Sequence, residues 1–139
     1  MSQDLRLRQY HETQVRTADR GRLLLMVYDA AIGSVRDCQR LILLGDMPSK
    51  GIQMDRAIRA VGELRSSLDM QRGQEIARSL DRLYDFMLNR MREANLANDA
   101  ERLEVVGRIL EDLRATWSQV IQRQEGENPK DGVRANVRI

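Results

Sequence analysis

The side chains from which nucleophilic, acid-base or soft-metal chemistry would have to start are few: one imidazole, His11, and one thiol, Cys38, in 139 residues. Carboxylate-bridged metal centres in helical proteins need Glu-x-x-His pairs on facing helices. His11 has Glu12 only as its direct neighbour, so it reads as a solvated histidine rather than a ligand. Cys38 falls on an inward helical stripe with no histidine placed to activate it, which predicts an inert core thiol. Carboxylates are plentiful, as at Asp99, Glu101, Glu111 and Asp112, but they alternate with arginines at spacings suited to weak surface pairs. Gly33, Gly62 and Gly107 are isolated inside helical patterns and no Gly-Lys-Ser/Thr occurs, so no phosphate-cradling loop is expected. The arginines are interleaved with acids and no aromatic cluster offers a stacking platform, which argues against a nucleic-acid partner. The expectation is a protein with no enzymatic activity, no cofactor and no metal.

What exceeds the needs of a simple core is apolar surface. One inward stripe per helix suffices to pack four helices, yet Leu23, Leu25, Met26, Val27, Ile32, Leu41 and Leu43 flank the stripe of the first helix. Tyr84, Phe86 and Leu88 do the same on the third. Met26, Met54, Met70, Met87 and Met91 add unbranched side chains able to re-pack around an irregular ligand, although methionine is also ordinary core filler. Part of this surplus is a broad core, and the remainder is expected to form a groove for an apolar partner. The three internal glycines each cost about 1 kcal/mol relative to alanine, so they are expected to mark close approach of a neighbouring helix or of a docked segment.

The elements that must position these side chains are helices. Five aromatic residues and two prolines are a poor composition for a β sandwich and a good one for long helices. The share of hydrophobic residues, 42%, with 32% charged, excludes a disordered polyelectrolyte, and Leu23 to Tyr28 is far short of the ~20 apolar residues that span a bilayer. A lone Cys38, unable to form an internal disulfide, points to a soluble, reducing compartment, and a net charge of +2 implies no nucleic-acid partner. Residues 1–16 show no sustained stripe and read as a flexible N-terminal arm with apolar anchors Leu7, Tyr10 and Val15.

Thr17 caps a first helix over about 18–44, with apolar residues Leu24, Tyr28, Ala31, Val35, Cys38 and Ile42, Gly45 at its end and Pro48 beyond. A second helix over about 50–70 carries Met54, Ile58, Val61, Leu64 and Leu68, and the segment from Asp69 to Gly73 breaks it. A third over about 74–95 carries Ile76, Leu80, Leu83, Met87, Met91 and Ala94. Asn98 with Glu101 forms a capping-box-like start to a fourth helix over about 99–123, through Leu103, Val106, Leu110, Leu113, Trp117 and Val120. From Glu125 onward the chain reads as a disordered tail, 125–139, without apolar periodicity. Short connections make consecutive helices antiparallel, so the predicted fold is all-α, an up-down-up-down four-helix bundle over 17–124.

With the helices placed, the chain resembles the flagellin export chaperone family, FliS. The resemblance is carried by Gln9-Tyr10; by Val15-Arg16-Thr17-Ala18 leading into Leu23 to Ile32; by Leu64 and Leu68-Asp69; by Gly73-Gln74-Glu75-Ile76-Ala77 with Leu80, Leu83, Tyr84 and Asp85; and by Ala94-Asn95, Leu113-Arg114 and Trp117. Order and spacing, rather than any single motif, make the match, which covers nearly everything from Tyr10 to Val120. Departures are Val27 where leucine is usual, Ala30 where glycine is frequent, Arg72 before Gly73, and no proline in the turn from Ala18 to Arg22.

The resemblance implies a cytoplasmic chaperone, working without ATP, that binds the C-terminal segment of flagellin and prevents premature polymerisation. It further implies delivery to the cytoplasmic part of the flagellar export gate, a type III secretion apparatus. The client-binding residues expected on this basis are Leu7, Tyr10, Val15, Leu24, Tyr28, Ile32, Tyr84, Met87 and Met91. Tyr10 is expected to lie over an apolar pocket that the client also uses, so that the arm covers the groove until client arrives. A different class of reading remains beside it, a structural bundle or adaptor that self-associates, as a weak homodimer or more, through the same apolar surplus.

Overall fold

The computed structural model describes the backbone of residues 2–126 and the side chains of 5–9 and 19–126. It is all-helical over that range: α1 (Ser2–Leu44), α2 (Met47–Ser66), α3 (Met70–Ala97) and α4 (Arg102–Gly126). α1 packs on α2 and α4, and α3 packs on the same two, so each helix has two neighbours. Polar pairings set the directions. Arg114 meets Asp29, Arg36 meets Glu104 and Glu111, and Gln39 meets the carbonyl of Ala100, so α1 and α4 run in opposite senses. Arg65 meets Asp81 and Asp85 while Lys50 meets Asn95, so α2 and α3 do as well.

The core is one contiguous cluster fed by one stripe per helix. From α1 come Tyr28, Ala31, Val35 and Cys38; from α2 Met54, Ala57, Val61 and Leu64; from α3 Leu80, Tyr84, Met87 and Met91; from α4 Leu103, Val106, Leu110 and Trp117. The predicted stripes of α1 and α4 lie on the core, with Leu24, Ile42, Leu113 and Val120 half-buried at its margin. The start of α3 differs. Ile76 is exposed and Ala77 takes the inward place, because the buried face steps by three and four residues through Ala77, Leu80, Tyr84, Met87, Met91 and Ala94 and leaves Ile76 beside it. Just before that face begins, Gln74 kinks the helix at φ 48°, ψ −121°.

The helix ends correct several sequence-based boundaries. Gly45, at φ 77°, closes α1 in a Schellman arrangement: its N–H donates to the Ile42 carbonyl and that of Asp46 to the Leu41 carbonyl. Pro48, expected only to stop the first helix, lies in the first turn of α2, where a missing N–H costs nothing, and Asp46 caps that turn through the Ser49 N–H. α2 ends at Ser66, and Asp69, expected in a break, caps α3 through the Arg72 N–H. Asn98 does not cap α4: it takes the left-handed conformation that terminates α3, and Asp99 accepts from the N–H groups of Glu101 and Arg102 instead.

α1 is the largest correction. Its helix is continuous from Ser2 rather than starting at Thr17. Residues 2–20 contain neither glycine nor proline and are rich in leucine, arginine and glutamine, so local propensity supplies no stop. The stripe used to place the start reports packing, not helicity. At the other end Glu125 and Gly126 belong to α4, and the rest of the predicted tail lies outside the described residues.

Candidate functional site

Where the first packed turns of α1 meet the α2–α3 turn and the last third of α4, the helices part around a groove of about 750 Å³. α1 presents Leu23, Leu24 and Val27 to it, α2 presents Leu64, and Leu68 and Met70 come from the turn into α3. Tyr84 and Trp117 line it from α3 and α4, and Arg20, Glu63 and Asp69 supply its charged lining. Leu23 and Met70 are largely exposed, so the apolar lining continues out to the protein surface.

Beneath the groove lies a buried polar cluster. The Trp117 Nε1–H donates to the Tyr28 hydroxyl at 3.0 Å, and the hydroxyls of Tyr28 and Tyr84 share a hydrogen bond at 2.5 Å. Burial pushes the Tyr28 phenol pKa up, and burial together with the neighbouring Tyr28 pushes that of Tyr84 up further, so both stay neutral at physiological pH. Large aromatic bodies with their polar tips satisfied make a rigid apolar floor. Asp29, next to Tyr28, takes Arg114 in a two-point contact at 2.5 and 3.1 Å, which pins α1 to α4 beside the same site.

The residues expected to bind a client distribute unevenly. Leu24 and Tyr84 line the groove, and Tyr28 supports it through its hydroxyl. Ile32 is half-buried against the core and is not part of the lining. Met87 and Met91 are wholly buried in the core cluster. Leu7 is exposed on the first turns of α1, while Tyr10 and Val15 lie outside the described side chains.

The expectation for the glycines holds at one position. A Cβ on Gly107 would stand 2.6 Å from the Arg36 guanidinium carbon, whereas Gly33 and Gly62 have nothing within 4 Å and mark no close approach in the folded chain. Sequence reasoning missed Arg20, Glu63 and Asp69 as lining, because a groove at a helix turn leaves no periodic trace; of the methionines named for a groove, Met70 lines it. Trp117 was legible only as a member of the stripe of α4.

Several of the residues that carried the family resemblance therefore pair with one another: Tyr28 with Tyr84 and Trp117, and Asp29 with Arg114. Residues 2–124 match the family described as Flagellar protein FliS. The chain belongs to the FliS family. It is 34% identical over 109 residues to the Flagellar secretion chaperone FliSB of Pseudomonas aeruginosa, covering 78% of this chain and 86% of the relative. It is likewise 34% identical over 110 residues to the Flagellar secretion chaperone FliS of Salmonella typhimurium, covering 78% and 82%. The Bacillus subtilis Flagellar secretion chaperone FliS is 31% identical over 123 residues, covering 88% and 91%. Among the described residues no group of three His, Cys, Asp or Glu side chains is placed to hold a metal, and no helix is long and apolar enough to cross a membrane.

Proposed function

We propose that this chain is a cytoplasmic flagellar secretion chaperone, an antiparallel four-helix bundle that holds the C-terminal segment of flagellin until export. In this reading the bound segment cannot polymerise, and the complex is handed to the cytoplasmic part of the export gate. The observation that carries the reading is the apolar groove over the Tyr28, Tyr84 and Trp117 cluster in a chain of the FliS family. A client of helical propensity would lay spaced apolar side chains against Leu23, Leu24 and Leu68, with Glu63 and Asp69 selecting basic residues at its edge. Ordering such a segment costs several kcal/mol, about 2–5 or more, which a wrapped interface offsets.

The test is calorimetry with a peptide from the C-terminal end of the same organism's flagellin. A saturable one-to-one heat with a strongly negative heat-capacity change is expected. Absence of heat from a folded chain would overturn the reading. Self-association is the second reading, favoured by Leu43, Leu44 and Leu96, all well exposed at the end of the molecule opposite the groove. It predicts a mass in sedimentation that climbs with protein concentration while the flagellin peptide gives no heat.

A further inference from the structure

The groove has a candidate occupant in the chain itself. α4 contributes Trp117 to the lining, and its last turns stay beside the start of the packed part of α1: a Cβ on Gly21, next to the lining residue Arg20, would meet Ile121 at 3.1 Å. The helix ends at Gly126, and thirteen further residues, 127–139, follow from that end of the molecule.

Their sequence has two parts. Asn128-Pro129-Lys130-Asp131-Gly132 is turn chemistry, with proline presetting φ and Asp-Gly closing the reversal. Residues 133–139 read Val-Arg-Ala-Asn-Val-Arg-Ile, with Val133, Ala135, Val137 and Ile139 alternating with Arg134, Asn136 and Arg138. In an extended chain that alternation makes one face wholly apolar and the other polar and basic. It is a period of two, which a search for helical stripes passes over.

Length and charge both fit. Trp117 lies nine residues before Gly126, about 14 Å back along the helix at ~1.5 Å per residue. The six residues 127–132 reach up to about 20 Å at ~3.3 Å each, enough to turn and return to that level with 133–139 still to be laid down. The charged lining of the groove carries two carboxylates, Glu63 and Asp69, against one cation, Arg20, and the segment brings Arg134 and Arg138, whose long stems can fold to a groove edge.

We propose that residues 127–139 fold back into the groove of the same molecule, seating Val133, Val137 and Ile139 on its apolar lining and bringing Arg134 and Arg138 to Glu63 and Asp69. The segment is then an internal competitor for whatever else binds there, and an entering partner has to displace it. The proposal concerns the same groove as the flagellin reading, but its test contains no flagellin, so either can fail alone.

A nitroxide placed at Asn136→Cys in the full chain, isotope-labelled for NMR, reads the contact directly. Cys38 is fully buried and its thiol is pushed up to about 11 by that burial, so the reagent goes to the new cysteine. The amides of Leu23, Leu68 and Met70 should lose most of their intensity, those of Leu43 and Leu44 none. The V133S/V137S/I139S chain should abolish the effect while leaving the circular dichroism unchanged. Broadening confined to the last turn of α4 overturns the proposal. Transfer of the broadening to isotope-labelled, nitroxide-free molecules in a mixture overturns it in favour of a second copy. Broadening of the groove from a nitroxide at Leu7→Cys but not from position 136 overturns it in favour of the first turns of α1.

Discussion

Tyr28 is the residue on which the groove floor depends, because its hydroxyl serves two partners while that of Tyr84 serves one. Tyr84→Phe removes one hydrogen bond and leaves Tyr28 paired with Trp117, a loss of about 1 kcal/mol. Tyr28→Phe strands both the Trp117 N–H and the Tyr84 hydroxyl in a buried place and should cost about 2–3 kcal/mol. Urea unfolding of the two variants checks the order, and equal losses would show that the cluster does not act as drawn. Cys38 gives a pH prediction. Its folded pKa, about 11 against an ordinary 9.0, lies above the unfolded value. The stability this represents is therefore complete below pH 9 and is lost as pH rises from 9 towards 11, up to about 3 kcal/mol. Unfolding at pH 8 and pH 9.5, the upper point still below the ordinary tyrosine pKa of 10.0, should show a larger decline in the parent chain than in Cys38→Ala.

At the scale of elements, the glycines and the kink separate by what surrounds them. Gly33 and Gly62 have open space where a Cβ would go, so alanine at either should stabilise by about 0.5–1 kcal/mol through helix propensity alone. Gly107→Ala gains the same propensity but displaces the Arg36 guanidinium from Glu104 and Glu111, to which it is paired at 2.8 and 2.9 Å. Hydrogen bonds from Gln39 and Arg36 also hold the Glu104 carboxyl below its ordinary range. Its net gain should be smaller than at Gly62, or absent, in thermal unfolding of the three variants. Gln74 occupies a conformation that suits glycine far better, so Gln74→Gly should raise stability by about 1 kcal/mol. A fall in melting temperature would mean that the break in α3 is not held under strain.

For the whole molecule, the core cluster begins at Tyr28, well after the first turns of α1. Deleting residues 1–16 should therefore leave the melting temperature within a few degrees while changing the affinity for a flagellin peptide; an unchanged affinity would remove the arm from the binding cycle. Leu23 is 58% exposed and lines the groove, so Leu23→Ser should leave stability within about 0.5 kcal/mol and weaken that affinity by about tenfold, or ~1.4 kcal/mol. Both are calorimetric measurements on folded chains. Much of this architecture was already legible one residue at a time. Helical spacing of Tyr28, Val35, Cys38, Met87, Met91, Leu103 and Leu110 determined the all-helical class and most of the core, since burial on one face leaves a 3.6-residue period in any sequence. Which face of Tyr84 or Met87 meets solvent is not periodic information: both sit on apolar stripes, yet one lines a groove and the other is wholly enclosed. That choice, like the meeting of Glu63, Asp69 and Trp117 around one groove, was decided only by tertiary structure, because it depends on how far four helices diverge at one end and which turns close the gap.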